Sequence, residues 1–331
     1  MEKPIEGLDR LDKELLYWLD LNCRESLSSL GRKMHASPAK VGYRMAQLVK
    51  SGAINSFITL VDYRKLGLRG YAVYFKMKEM GEQELRRRIE LIKGVPNLAD
   101  LILTSGAYDL HVAFLVSTTD DAAQRLEEVR GILEDCILDE MLLVYLRAQF
   151  FSREHFLDKA PPKDVKPRLV LDSHEEHVKI DKVDMAILSV MAENADWPVW
   201  KIAKAAKVAG PTAYNRIKRL EKNGVIVGYS AKMSPNMKGN YFYRVLVKLR
   251  HMSPKKKSQL SGFLDSHPSI YRSTFTLGRV EMQYDVRISD ETQLRDLLRQ
   301  VYEHFKDEVV LQDWVRVYEI IRFGFYYSSK K

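Results

Sequence analysis

The sequence predicts an α+β protein in which a helical domain and a small α/β domain occur twice along the chain. Its 331 residues suit two to four domains of ordinary size. Residue 8 aligns with residue 180, an offset of 172 positions, and the two halves stay in register without a gap over about a hundred residues. In each half, apolar residues with helical spacing come first and strand-like alternation follows.

The self-alignment is supported by short blocks of matching sequence. The block LDRLD at 8–12 aligns with IDKVD at 180–184, and GAI at 52–54 aligns with GVI at 224–226. A single offset that holds over this length indicates a tandem duplication. The predicted domains are a helical domain at 1–62, an α/β domain at 66–152, a charged, proline-containing linker at 153–178, a second helical domain at 179–234 and a second α/β domain at 239–331.

Each helical domain has the pattern of a winged helix–turn–helix. In the first, the spacing of Leu11, Leu15 and Leu19 predicts one face of a helix. A second short helix follows, and Ser37-Pro38 is a strong start signal for a third, which ends near Gly52. The second domain repeats this plan, with a third helix from about Pro211 to Asn223. The β-branched runs 54–61 and 225–229 are predicted to form a wing after each third helix.

The outward faces of the third helices carry side chains suited to DNA. A helix fits the major groove, and Arg, Asn, Gln and Thr can bond to base edges, while lysines meet phosphates. The candidate DNA-binding residues are Ser37, Lys40, Tyr43, Arg44, Gln47 and Lys50 in the first half, and Thr212, Asn215, Arg216, Arg219 and Lys222 in the second. Arg44 and Arg216 align, so a shared base contact is expected, whereas the other differences predict an asymmetric operator. The alternatives are solvated helix faces or a protein-contact module.

The composition agrees with a nucleic-acid partner and gives little support to other classes. The formal net charge is +9, which suits a polyanion. Cys23 and Cys136 form no CxxC pair, so neither a disulfide framework nor a cysteine metal site is expected. No signal peptide or membrane span is predicted, which favours the cytoplasm. Glycine-rich nucleotide loops and nucleophile elbows are missing, so no catalytic residue, metal or cofactor is expected.

The second part of each half alternates strands and helices in the order β-α-β-β-α-β. The strands in the first half are predicted at 71–77, 98–104, 108–116 and 137–151. This is the ferredoxin-like order, in which helices cover one face of an antiparallel sheet. The other face of each sheet must also be shielded from solvent. If the two sheets of one chain pack face to face, each shields the other. Pairing between two chains is the alternative, which would give a larger assembly.

Taken together, the order and spacing of these motifs resemble the Lrp/AsnC family of prokaryotic transcription regulators, most of all its archaeal members. The segments that carry the resemblance are 8–12, 37–44, 48–54 and TSGAYD at 104–109. The resemblance implies a dimer joined through the α/β domains, binding double-stranded DNA. It also implies an amino-acid-like effector near Thr104, Gly106, Tyr108 and Asp109. The second half departs from this loop pattern with Val280 and Glu281, and a simple hairpin turn is the alternative reading of the loop.

One enzyme class shares this architecture, the siroheme decarboxylases. They bind a carboxylate-rich tetrapyrrole between α/β domains, which would require converging arginines and histidines. The candidates are His111 with Arg147 in the first half, and His267 with Arg272 and Arg279 in the second. Only a fragment of that family's strand motif is present, at 271–275, so the enzyme remains an alternative to the regulator.

Overall fold

The computed structural model describes residues 5–157, 169–172 and 177–325, and the order of elements is the same in both halves except for the short strand β8 of the second. The first half contains α1 (Arg10–Leu21), α2 (Leu27–Lys33), α3 (Pro38–Lys50), β1 (Ile54–Val61), β2 (Arg69–Met77), α4 (Glu82–Lys93), β3 (Leu98–Gly106), β4 (Leu110–Val116), α5 (Thr119–Leu133) and β5 (Ile137–Phe150). After β6 (Leu169–Leu171), the second half contains α6 (Lys182–Met191), α7 (Val199–Ala205), α8 (Gly210–Lys222), β7 (Ile226–Met233), β8 (Asn236–Met237), β9 (Asn240–Leu249), α9 (Pro254–Asp265), β10 (Ile270–Gly278), β11 (Met282–Ile288), α10 (Glu291–His304) and β12 (Val309–Arg322).

Each helical unit packs three helices around a small apolar core. In the first unit, Leu15 and Leu19 of α1 and Val41 of α3 are fully buried, as their helical spacing predicts. The first helix begins with a capping box, in which Asp9 and Asp12 each accept a hydrogen bond from the other's backbone amide. Asp181 and Asp184 form the same box at α6.

The predicted strand after each third helix is present, but the prediction that it forms a wing within its own unit is wrong. In the described residues, β1 pairs antiparallel with β7 of the other half, with Ile58 opposite Ser230, and the two form a two-stranded sheet. A single strand after each third helix leaves its backbone groups without partners unless another strand comes alongside. The other half supplies that strand, so the two helical units are joined by the pairing itself.

The eight long strands of the two α/β units form a closed barrel. The first unit has the strand order β5-β2-β4-β3 and the second β12-β9-β11-β10. The pairs β3–β12 and β5–β10 then join the units at both edges. The sequence predicts that the two sheets face each other, but it does not predict that they join at both edges. It removes the exposed edges that two separate sheets would retain.

The helices of each α/β unit cover the outside of the barrel, and a core lies beneath them in each half. Within the segment predicted as a linker, Leu169–Leu171 forms a short strand on β5. The rest of that segment at 158–168 and 173–176 lies outside the described residues, and with it most of the histidine- and glutamate-rich stretch at 174–177.

Candidate nucleic-acid interface and effector loop

The third helices present their polar side chains to solvent. Ser37 caps α3 by accepting a hydrogen bond from the amide of Lys40 at 3.2 Å. In α8 the corresponding cap position is Ala209, which forms no side-chain cap. The predicted residues that are exposed are Ser37 before α3, Lys40, Tyr43, Gln47 and Lys50 on α3, and Thr212, Asn215, Arg219 and Lys222 on α8.

The two aligned arginines point back into their own domains. Arg44 forms ion pairs with Asp9 at 2.8 Å and with Asp12 at 3.2 Å. Arg216 pairs in the same way with Asp181 and Asp184. Each arginine therefore ties the third helix of its unit to the capping box of the first helix.

The electrostatics of these clusters favour the charged forms. The backbone hydrogen bond from Asp12 and the nearby Arg44 together hold the pKa of Asp9 below its ordinary value. The charge of Asp12 raises the pKa of Arg44. A base contact by Arg44 would require it to leave two carboxylates, one of which is almost fully buried.

The ion-pair cluster around Asp184 in the second half contains one more charged residue than the cluster around Asp12. Arg219, half exposed, also pairs with Asp184, whose side chain is fully buried. At the aligned position the first half has Gln47, which leaves Arg44 as the arginine on Asp12. Two further aromatic side chains are exposed, Tyr214 on α8 and Trp200 on α7. Tyr214 is not among the residues singled out from the sequence, although its position on the polar face of α8 could have identified it.

The two helical units are held together by side chains as well as by the β1–β7 pair. The hydroxyl of Ser230 donates to buried Asp20 at 3.0 Å, and the hydroxyl of Thr59 donates to the carbonyl of Met191 at 2.7 Å. Arg24 lies over the ring of Tyr229, 4.9 Å from its centroid. These contacts link the first helical unit to the second.

In the predicted effector loop of the first half, the polar groups already have partners. Thr104 is buried and donates to the carbonyl of Tyr108 at 2.8 Å. Asp109 pairs with Lys76 at 3.0 Å and accepts from the amide of Met77 at 2.8 Å. Gly106 has φ +111°, and a Cβ there would lie 2.8 Å from the carbonyl oxygen of Trp314 on β12. The glycine is therefore needed where the two halves meet.

The loop of the second half repeats this geometry. Glu281 pairs with Lys248 at 2.7 Å and accepts from the amide of Leu249 at 2.7 Å. Gly278 has φ +147°, and a Cβ there would lie 2.5 Å from the carbonyl oxygen of Leu142 on β5. The longer acid thus makes the same contacts as Asp109.

Among the residues considered for tetrapyrrole chemistry, His111 and Arg272 both lie in the barrel interior, and the others make separate local contacts. His111 is fully buried, 3.2 Å from the hydroxyl of Tyr145, and burial with Arg244 and Arg272 holds its pKa well below the ordinary value. Arg272 pairs with Asp285 inside the barrel. Arg147 pairs with Asp172, Arg279 pairs with Asp139, and His267 accepts from the amide of Ser269.

Membrane-spanning helices and metal-binding clusters are both missing from the described residues. No helix among them is long and apolar enough to cross a membrane. No group of three or more His, Cys, Asp or Glu side chains within those same ranges is arranged to hold a metal ion.

The two three-helix units have the arrangement of helix–turn–helix domains. Residues 180–221 match the model of the AsnC-type helix–turn–helix domain. An uncharacterized HTH-type transcriptional regulator of Pyrococcus horikoshii is 30% identical over 127 residues, covering 38% of this chain and 75% of that protein. One of Pyrococcus abyssi is 29% identical over 133 residues, covering 38% and 88%. The chain belongs to the Lrp/AsnC family of HTH-type transcriptional regulators.

A solved structure matches the whole architecture. The siroheme decarboxylase NirDL aligns over 97% of this chain and 94% of its own, with a TM-score of 0.58 and 13% sequence identity. At that identity the match shows a shared fold and carries no information about chemistry.

Proposed function

We propose that this chain is a sequence-specific regulator that binds double-stranded DNA in the cytoplasm. In this proposal it arose by tandem duplication of a helix–turn–helix unit with a ferredoxin-like unit, and it acts as a pseudo-dimer within one chain. The observation that carries the proposal is the β1–β7 pair, which holds two helical units together while their third helices present polar and basic faces.

The proposed contacts divide into base reading and backbone positioning. Lys40, Tyr43 and Gln47 on α3 face bases in one half-site, and Thr212 and Asn215 on α8 face bases in the other. Contacts to phosphates are made by Lys50, Lys222 and Arg219 and by the N-terminal end of α3 at Ser37. Half-sites one turn apart lie about 34 Å from each other. Because the two sets differ, the expected operator is asymmetric.

In this proposal Arg44 and Arg216 have a structural role. Their alignment, in contrast, predicts that each contacts a base. Their ion pairs with the capping boxes position the third helices. A base contact by either remains a prediction that requires the ion pairs to open on DNA.

The proposal includes an amino-acid-like effector at the loop formed by Thr104, Gly106, Tyr108 and Asp109. What supports it is the position of the loop at the seam between β3 and β12, where Gly106 touches Trp314 of the other half. A ligand that moved this loop would move the seam, and with it the relation between the halves.

The test is DNA binding by the full chain on its own upstream region, measured at several salt concentrations with nonspecific competitor. Tight binding that survives competitor, with a steep salt slope, is expected. Lys40→Ala combined with Gln47→Ala should weaken binding by about 1–3 kcal/mol per lost base contact. Lys93→Ala removes one charge from a helix outside the proposed interface and is the matched control. Binding that competitor abolishes, or that the double variant leaves unchanged, contradicts the proposal.

A further inference from the structure

A cavity of about 60 Å³ lies between the β1–β7 pair and one end of the barrel. Its walls come from that pair, from α1, from β9 to β12, and from the ends of β5 and β12 with the residues that follow them. Six aromatic rings form much of the lining, namely Phe150, Phe151, Phe242, Tyr271, Phe323 and Phe325. None of the lining residues belongs to the third helices or to the predicted effector loop.

Three basic side chains also line this cavity, Arg153, Lys232 and Arg287, and all three are largely buried. The two carboxylates in the wall are already engaged with other groups. Asp20 pairs with Arg153 at 3.3 Å, and Asp285 pairs with two other arginines inside the barrel. The wall therefore carries positive charge that its own carboxylates do not balance.

Arg287 is the least compensated of the three basic residues. It is 2% exposed and forms no ion pair with any described residue. Its Nη1 donates to the carbonyls of Ser234 and Asn240, both at 3.2 Å, and its Nε is shielded from solvent. Nη2 takes part in neither bond and retains accessible surface on the cavity side. Burial lowers the pKa of Arg287 to about 10, so the guanidinium is still charged at neutral pH.

Two further groups in the wall favour an anionic occupant. Lys232 lies 3.9 Å from Glu193, which is long for an ion pair, and burial lowers its pKa. Burial raises the pKa of Tyr271 to about 12, so its hydroxyl keeps the proton and can donate to an anion. A buried charge is costly unless it is paired, and arginine is seldom fully buried without a partner. An anion in the cavity would compensate Arg287 and Lys232 together.

The size and the apolar lining of the cavity restrict that anion. Its volume of about 60 Å³ exceeds the share of one water molecule in the liquid, about 30 Å³, and is well below the roughly 150 Å³ that holds a benzene ring. The aromatic rings offer contact to an alkyl group and none to a second charge. We propose that this cavity binds a short monocarboxylate such as propionate, with its carboxylate on Arg287 and Lys232 and its alkyl group against the rings.

Occupancy of the cavity would act on the contact between the barrel and the paired helical units. Ile58 of β1 and both Ser230 and Lys232 of β7 line the cavity, and the hydroxyl of Ser230 bonds to Asp20 of α1. A carboxylate shared by Lys232 and Arg287 would hold β7 against the barrel. This consequence for DNA rests on the proposed function, whereas the binding site does not.

The other half has a matching cavity without these charges. Its volume is about 30 Å³, and its lining includes Leu115, which aligns with Arg287 at the offset of 172 positions. Lys232 aligns with Leu60. The basic side chain in the smaller cavity is Arg272, which already has a carboxylate partner. The proposal therefore predicts one monocarboxylate site per chain.

The experiment is calorimetric titration and thermal melting of the full chain with propionate, propionamide and nitrate at constant ionic strength. Propionamide has the shape of propionate without its charge, and nitrate has the charge without the alkyl group. Propionate should bind saturably with a one-to-one stoichiometry and raise Tm, because a ligand that binds the folded state stabilises it. Each of the other two should bind roughly tenfold more weakly or worse, which is about 1.4 kcal/mol.

Arg287→Leu introduces the side chain found at the aligned position and should abolish the shift in Tm caused by propionate. Lys232→Leu does the same at the second cation and should weaken binding roughly tenfold or more. It leaves the hydrogen bonds of Arg287 in place, so it decides the question even where Arg287→Leu does not fold. Arg295→Leu, at an exposed position of α10, is the matched control and should respond as the wild type does. No saturable response to propionate, an undiminished response in either folded variant, or equal binding of propionamide or nitrate overturns the proposal.

Propionate binding that leaves the DNA affinity of the wild type unchanged overturns the coupling through β7. Failure of the chain to bind DNA at all overturns the proposed function, and the titration still decides the cavity independently.

Discussion

The inner faces of the two halves of the barrel differ sharply, although their outer helices and strand order match. Arg244, Asp285 and Arg272 of the second half form a buried ion-pair network. At the aligned positions the first half has Ala72, Ala113 and Asp100. Two of the three charged positions of the second half are thus alanines in the first half, and at the third an aspartate replaces an arginine.

This difference shows that the halves complement each other and are not interchangeable. The hydroxyl of Tyr74 in the first half donates to Gln283 and accepts from Arg244 in the second. Two copies of the second half facing each other would bring two sets of buried arginines together, and buried charges are costly unless paired. Among the arrangements left open by the sequence, the structure has the halves pair within one chain.

The largest expected effect comes from breaking the charged network. Although burial raises it, the charges of Arg244 and Arg272 hold the pKa of Asp285 below its ordinary value. Asp285→Ala leaves two buried arginines without their carboxylate and should cost about 3–5 kcal/mol of unfolding free energy. Denaturant titration measures it. A loss below the effect of an exposed control, Asp296→Ala, would show that the network is not coupled to stability.

The next largest effects should come from substituting Gly106 and Gly278, the glycines at the two seams where the halves of the barrel meet. Gly278→Ala places a Cβ 2.5 Å from a backbone oxygen, compared with 2.8 Å for Gly106→Ala, and both have positive φ. We expect losses of about 2–4 kcal/mol, larger for Gly278. Gly131→Ala, within α5 and with open space around its Cβ, should be neutral or stabilising. Equal effects at all three glycines would contradict the close approach at the seams.

The asymmetry of the barrel also predicts a pH effect at Asp100. Burial, opposed by Arg272 and Arg244, raises the pKa of Asp100 to about 6. Because the folded protein holds this proton more tightly than the unfolded chain, the stabilising contribution is complete below about pH 4 and is lost as the pH rises through 6. Asp100→Asn should therefore raise the unfolding free energy at pH 8, by up to about 3 kcal/mol, and change it little at pH 4. A constant difference across that range would be the contrary result.

The smallest expected effect is a difference in Tm between matched variants of the two helical units. Arg44→Ala removes the arginine that ties α3 to Asp12, whereas in Arg216→Ala the buried Asp184 keeps Arg219. The drop in Tm should therefore be greater for Arg44→Ala. Matched melting curves, with Lys50→Ala as the surface control, decide this comparison. A larger drop for Arg216→Ala would mean that Arg219 does not compensate.

Much of the local structure followed from the sequence. Ser37-Pro38 and the glycine signal at 52 bounded α3, and apolar spacing identified the buried leucines of α1. Caps, turns and periodicity act within a few residues, so the sequence displays them directly. The exposure of Lys40, Tyr43 and Gln47 followed from the same periodicity.

The direction in which the Arg44 side chain points could not be predicted from helical periodicity. On a helical projection it lies beside Lys40 and Gln47, but its partners lie at another helix, and Asp12 is 32 residues away along the chain. Outward periodicity places a long side chain near the surface without specifying which way it bends.

By itself the sequence determined the repeated order of helices and strands, the boundaries of the third helices and the membership of the helix–turn–helix class, because these depend on short-range patterns. The tertiary structure decided how the halves join. A single strand after each third helix must find a backbone partner, and each open sheet has two edges to satisfy. The β1–β7 pair and the closed barrel satisfy both requirements, through contacts between residues more than a hundred positions apart that no local pattern encodes.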